Sequence, residues 1–181
     1  MKKNLRELIF SAIFAALLSL SAYLQIPFPM VPMTAQTLFV MLAGILLGKK
    51  VGTMACFLYL LLGLLGLPVF TRGGGIGYLL KPTFGYLLGF VVAASIIGTM
   101  TEKKKTIPRF FLACGIGLLA IYGLGTGYYA VLGMFYFKTE IAMRTLWMTC
   151  VVSTLPVDMI WLVVAVFLGK RLQKPMENFI K

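Results

Sequence analysis

Apolar residues run in long blocks along this chain, interrupted by short clusters of lysine, arginine, proline or glycine. The blocks cover residues 5–24, 34–48, 51–67, 83–99, 109–129 and 143–168. Crossing a hydrocarbon core of about 30 Å takes about 20 helical residues, fewer for a short or partly re-entrant segment. The pattern therefore predicts six transmembrane helices, the second of them short. The preceding Ile26-Pro27-Phe28-Pro29-Met30-Val31-Pro32 cannot be regular helix, because each proline restricts itself and its predecessor. An apolar but irregular stretch of this kind packs against protein rather than lipid.

The polar clusters give the orientation. Lys2, Lys3, Arg6, Lys49, Lys50, Lys103, Lys104, Lys105, Arg109, Lys170, Arg171, Lys174 and Lys181 fall on one side of the six spans. Only Arg72, Lys81, Lys138 and Arg144 fall on the other. Short basic loops stay cytoplasmic, so both termini are expected inside. The outer face is then built from the proline run, the loop 68–82 and the loop 137–142.

Composition agrees with this pattern. Of 181 residues, 60% are hydrophobic and 12% charged, and mean hydropathy is +0.96. An all-α integral membrane protein is expected, forming a single transmembrane domain over 1–181, because no polar stretch is long enough for a separate soluble core. The net charge of +12 belongs to loops that orient helices, which argues against nucleic acid as a partner. Lys103 to Lys105 can also touch anionic lipid. Cys56, Cys114 and Cys150 lie in apolar runs without CxxC spacing, and the chain has no histidine, so no metal site is expected. The N-terminal apolar segment is too long for a signal peptide and lacks a small-x-small site before Gln25. It is read as a retained first helix.

Asp158 is the principal functional lead. It sits just after Pro156 inside the last apolar block, and an ionisable group at bilayer depth usually faces a cavity or a partner. The loop 68–82 is the second lead. Its glycines, Gly75 among them, permit positive φ and close approach to a ligand, while Phe70, Ile76, Tyr78, Leu79 and Leu80 call for burial. Arg72 and Lys81 supply its charge. A purely structural reading of Asp158, as an ion-pair partner of Arg144 or Lys138, stays open, as does a helix-bridging role for Gln36. Tyr23, Tyr128 and Tyr129 read as interfacial residues.

Several phrases, taken in order, resemble one family. They are Val31-Pro32-Met33-Thr34-Ala35-Gln36-Thr37-Leu38, Leu62-Gly63-Leu64-Leu65-Gly66-Leu67-Pro68-Val69-Phe70, and Gly74-Gly75-Ile76-Gly77-Tyr78 leading to Pro82-Thr83-Phe84-Gly85-Tyr86-Leu87-Leu88-Gly89-Phe90. Pro156-Val157-Asp158 completes the set. The chain resembles the BioY family, the biotin-specific substrate-binding (S) components of energy-coupling factor (ECF) transporters, over nearly its whole length. The resemblance implies a high-affinity biotin-binding subunit in the cell membrane, with a ligand pocket under the extracellular loops. It also implies partners: a transmembrane coupling subunit and a pair of ABC-type ATPases. The family's first helix typically carries an AxxxA pattern that meets the coupling subunit, and Ala12 and Ala16 match it. Gly85 and Gly89 share that spacing and are expected to pack within the molecule. Two departures are visible. Lys81-Pro82-Thr83-Phe84-Gly85-Tyr86 stands where many members read Gly-Pro-Thr-Gly-Gly-Tyr, and Trp161 stands where many carry a lysine three residues after the aspartate.

Biotin, which the resemblance implies, presents a ureido ring, an apolar thioether ring and chain, and a carboxylate. Asp158 can accept from the ureido N–H groups, and Gln36 and Thr34 can donate to its carbonyl. Tyr78, Tyr86, Phe84 or Trp161 can cover the rings, and Arg72 or Lys81 can meet the carboxylate. No cofactor is expected, and the chain has no phosphate-binding loop of its own. Two other readings remain: an S component for a different small vitamin, and a stand-alone secondary transporter, although no internal repeat is visible. An intramembrane hydrolase would want paired carboxylates, a Ser/His arrangement or metal ligands, and the chain has none of these.

Overall fold

The computed structural model describes residues 2–26, 32–103, 105–137 and 148–180. Among the described residues five long helices carry the architecture: α1 (Lys2–Tyr23), α2 (Gln36–Leu64), α3 (Phe84–Lys103), α4 (Ile107–Leu132) and α5 (Leu155–Ile180). All five are long and apolar enough to cross a membrane. Their outward faces carry exposed leucine, isoleucine, valine and phenylalanine, such as Leu5, Ile13, Leu119, Val163 and Phe167. Such surface suits hydrocarbon rather than water.

Helix α2 spans two of the predicted blocks and is not straight. At Gly48 the backbone leaves helical geometry, with φ 74° and ψ −173°. In a continuous helix Gln36 and Tyr59 would stand about 34 Å apart, yet the Gln36 Nε2 donates to the Tyr59 hydroxyl at 2.7 Å. A Cβ at Gly52 would meet the carbonyl oxygen of Ala43 at 2.6 Å. The arms 36–47 and 49–64 are therefore folded back against each other. The Glu102 carboxylate closes the bend by accepting the Lys49 backbone N–H at 2.7 Å, capping a helix start with negative charge.

Polar contacts gather the basic segments at one end of the bundle. Lys50 pairs with Glu7 of α1 at 2.6 Å, Glu102 ends α3 beside the bend, and Lys170 of α5 donates to the Lys105 carbonyl at 2.7 Å. At the opposite end, Gln25–Ile26 and Met33–Thr34 form a two-residue antiparallel ribbon, β1 and β2, with Gln25 opposite Thr34. The prolines at 27 and 29 lie outside the described residues, as do the segment 138–147 and with it Lys138 and Arg144.

Small residues let the helices approach closely, as in other lipid-embedded bundles. Gly85 and Gly89 both face α4, and a Cβ at Gly89 would meet the Ile121 Cα at 2.8 Å. The last helix differs from its expected bounds. It begins at Leu155, preceded by a π-helical turn at Met148–Val152, and continues to Ile180. Pro156 fits the first turn, where its missing N–H has no intrahelical partner to lose.

Candidate ligand cavity

The end of the bundle opposite the basic segments holds a cavity of about 50 Å³. Helices α2, α3, α4 and α5 all contribute to its wall or flank it. Thr34 comes from the ribbon, Gln36 and Thr37 from the start of α2, and Thr83 and Tyr86 from the start of α3. Tyr122 comes from α4, Thr154 and Asp158 from the start of α5, and Thr71 and Tyr78 from the glycine-rich strap. Leu87, Phe90 and Ile121 make the wall apolar on one side. At roughly 10–15 Å³ for each water centre, the space holds a few waters. A larger open groove of about 570 Å³, lined by Lys49, Lys50, Phe57 and Glu102 among others, lies at the basic end. Convergent buried polar groups around an apolar wall, the usual make-up of a small-molecule site, are found in the narrow cavity.

Asp158 is 8% exposed. The Tyr122 hydroxyl donates to its Oδ2 at 2.6 Å, and Thr37 faces the same carboxylate. Asp158 lines the cavity as the one formal charge among the described lining residues. Its sequence-level alternative partners, Lys138 and Arg144, lie outside the described residues.

Gln36 both lines the cavity and bridges the arms of α2. Its amide donates to Tyr59, and its Oε1 accepts from the Thr34 hydroxyl at 3.3 Å. Tyr59 in turn donates to the Val69 carbonyl at 3.3 Å, tying the strap to the same network. The amide orientation is thus set from both ends.

Residues 65–83 form the strap over the site. Gly75 adopts φ 95° and donates its N–H to the Gly63 carbonyl at 2.7 Å, opening a 3-10 turn at Ile76–Leu80. An L side chain rarely tolerates that φ. The turn directs Tyr78 inward, where its ring packs on Phe70 at 4.5 Å between centroids and its hydroxyl meets Thr71 and Thr83. Tyr23 donates to the Pro68 carbonyl and Tyr128 to the Leu79 carbonyl, so two tyrosines expected at the membrane interface also tie the strap to α1 and α4.

Five of the ten expected ligand-binding residues, Asp158, Gln36, Thr34, Tyr78 and Tyr86, line the cavity together. The other five are not among its described lining residues. Lys81 donates to the Arg72 carbonyl at 2.7 Å and holds its ammonium 4.7 Å from the Tyr78 ring centroid, and neither Lys81 nor Arg72 is among the described lining residues. Phe84 packs against Tyr128, and Gly75 shapes the strap. Trp161 packs against the core with its indole N–H buried and without an acceptor among the described residues. Thr37, Thr83, Tyr122 and Thr154 complete the polar wall, and sequence reasoning does not single them out. Thr154 carries a signal, lying one helical turn before Asp158. Tyr122 carries a weaker one, since it sits within an apolar span rather than at its edge. Ala12 and Ala16 are both exposed on α1, on the same outward face as Ile9 and Ile13. Among the described residues no cluster of histidine, cysteine and carboxylate side chains could hold a metal ion.

The BioY family model matches residues 1–178. The chain belongs to the BioY family. A probable biotin transporter BioY from Lysinibacillus sphaericus is 40% identical over 174 residues, covering 95% of this chain and 89% of that protein. The biotin transporter BioY from Thermotoga maritima is 47% identical over 123 residues, covering 67% and 72%. The 2.1 Å crystal structure of an S component for biotin from an ECF-type ABC transporter matches with a TM-score of 0.84 at 26% identity, covering 99% of this chain and 98% of that one. These BioY relatives are transporters or transporter components. This BioY chain is accordingly a membrane transporter component, not an enzyme.

Proposed function

We propose that this protein is the high-affinity biotin-binding S component of an ECF-type importer, capturing the vitamin at the outer face of the plasma membrane. The observation that carries the reading is a buried carboxylate, Asp158, lining a polar cavity in a BioY-family chain. Asp158 accepts from the ureido N–H groups, and Gln36 and Thr34 address the ureido carbonyl. Tyr78 and Tyr86 cover the rings, with Phe84 and Trp161 packed behind them. Gly75 lets the strap close over the ligand. Arg72 and Lys81, at the strap, meet the ligand carboxylate. The cavity of about 50 Å³ is narrow, and movement of the strap would widen it for a bicyclic vitamin with its side chain.

In the same proposal the two arms of α2 each count as a span, giving six in one domain with both termini cytoplasmic. The gathering of Glu7, Lys50, Glu102, Lys105 and Lys170 at one end supports that orientation, because basic loops stay inside. Biotin is then released inward with a coupling subunit and a pair of ATPases. Ala12 and Ala16 form the contact with the coupling subunit, small residues four apart on an exposed helix face allowing close approach.

The test is isothermal titration of ligand-stripped, detergent-purified protein with biotin. One-to-one binding is expected, and Asp158→Asn should weaken it by at least about a hundredfold, since a charged hydrogen-bond acceptor is lost in a buried site. Unchanged affinity in that variant would remove Asp158 from the site. One observation favours a second reading, a different small vitamin: no cation is found among the described lining residues. Mass spectrometry of the ligand that co-purifies separates the two.

A further inference from the structure

The Asp158 carboxylate is held from across the bundle. Tyr122, 6% exposed on α4, sends its hydroxyl to Oδ2 at 2.6 Å, at the short end for such a bond. A phenol has a single proton, and here it is committed to the acid. Whatever else approaches the Tyr122 oxygen must therefore donate. Thr154 does so, its hydroxyl standing 3.3 Å from Tyr122 Oη. That hydroxyl also reaches the carbonyls of Cys150 at 3.2 Å and Val151 at 3.3 Å. It has one proton for three acceptors, so it can leave Tyr122 without being orphaned.

Resting on the functional reading above, we propose that Tyr122 is a positioning residue for ligand recognition. Its hydroxyl holds the carboxylate in one rotamer, so that Asp158 presents its acceptors in the orientation that selects a ligand edge bearing N–H donors. A cyclic urea offers such an edge. A ligand carrying an oxygen or an N-alkyl group at that edge leaves the acceptors facing one another, or facing carbon. Losing a hydrogen-bond partner in a site built for one discriminates more strongly than losing a methylene. The direction of the Tyr122 bond is thus part of the specificity, although Tyr122 itself acts through Asp158.

Tyr122→Phe tests this directly. It removes one oxygen, leaves the ring packing in place, and releases Thr154 to its two carbonyls, so the ligand-free protein should melt within a few degrees of wild type. Biotin and its two mono-N-methylated ureido analogues are titrated against both proteins. Wild type should prefer biotin over at least one analogue. In Tyr122→Phe, biotin affinity should fall roughly tenfold, about the effect of losing one hydrogen bond to a charged group. Affinity for the disfavoured analogue should hardly change, so the preference collapses. Unaltered biotin affinity in Tyr122→Phe would overturn the proposal. So would an equal loss for all three ligands, which would mark a packing role. Failure of wild-type protein to bind biotin would instead overturn the functional reading. The same comparison would then be run with the vitamin recovered from the purified protein and its N-alkylated analogue.

Discussion

Gly48→Ala should destabilise the whole bundle, although the residue lies far from the cavity. Two effects combine there. Its φ of 74° with ψ of −173° belongs to a region open essentially to glycine alone, and forcing another residue into it costs about 1–3 kcal/mol. An added Cβ would also sit 2.7 Å from the Glu102 Oε1 that accepts the Lys49 N–H. Displacing that cap costs a further ~0.5–2 kcal/mol. Together these give about 1.5–5 kcal/mol, and at 2–4 °C per kcal/mol for a chain of this size the midpoint should fall by roughly 3–20 °C. The three buried free cysteines make the assay, because a thiol-reactive dye reports their exposure as the detergent-solubilised protein is heated. Glu102→Gln keeps an acceptor at the bend but removes its charge, and should lose only the smaller part. A Gly48→Ala protein melting within about a degree of wild type would refute the argument that this bend is a stressed, glycine-specific hairpin.

Two further outcomes follow from the same contacts. Tyr59→Phe leaves the Gln36 amide without its buried acceptor, which should cost about 1–3 kcal/mol in stability and weaken ligand binding, measured by melting and titration in parallel. Ala12→Leu with Ala16→Leu alters only an exposed face of α1, so ligand affinity in detergent should be unchanged. Uptake by cells expressing the complete transporter should be lost; retained uptake would remove that face from the coupling contact.

Much of the fold and of the site is legible in the amino-acid sequence. The apolar blocks announce membrane helices, the family phrases are readable, and a lone acid in an apolar run points to a cavity because burying a charge in lipid is so unfavourable. Asp158 stands out on that local ground, Gln36, Thr34, Tyr78 and Tyr86 through the family resemblance, and all five line the cavity. The residues that do not stand out owe their roles to distant partners. Tyr122 lies 36 positions from Asp158, and Tyr59 lies 23 positions from the Gln36 it anchors.

Sequence by itself determined which segments are helical and apolar and where the polar exceptions fall, since those properties depend on each residue's own chemistry. Only the tertiary structure decided which face of each helix meets which neighbour. In lipid the outward and inward faces of a helix are both apolar, so no polar stripe marks the buried side, and the choice falls to close packing at small residues. Gly89 against Ile121 sets α4 beside α3, and α4 then carries Tyr122 to the acid. The fold-back at Gly48 likewise turns two blocks into facing arms, and in the strap that follows them Lys81 donates to the Arg72 carbonyl, with neither residue among the described lining residues of the cavity.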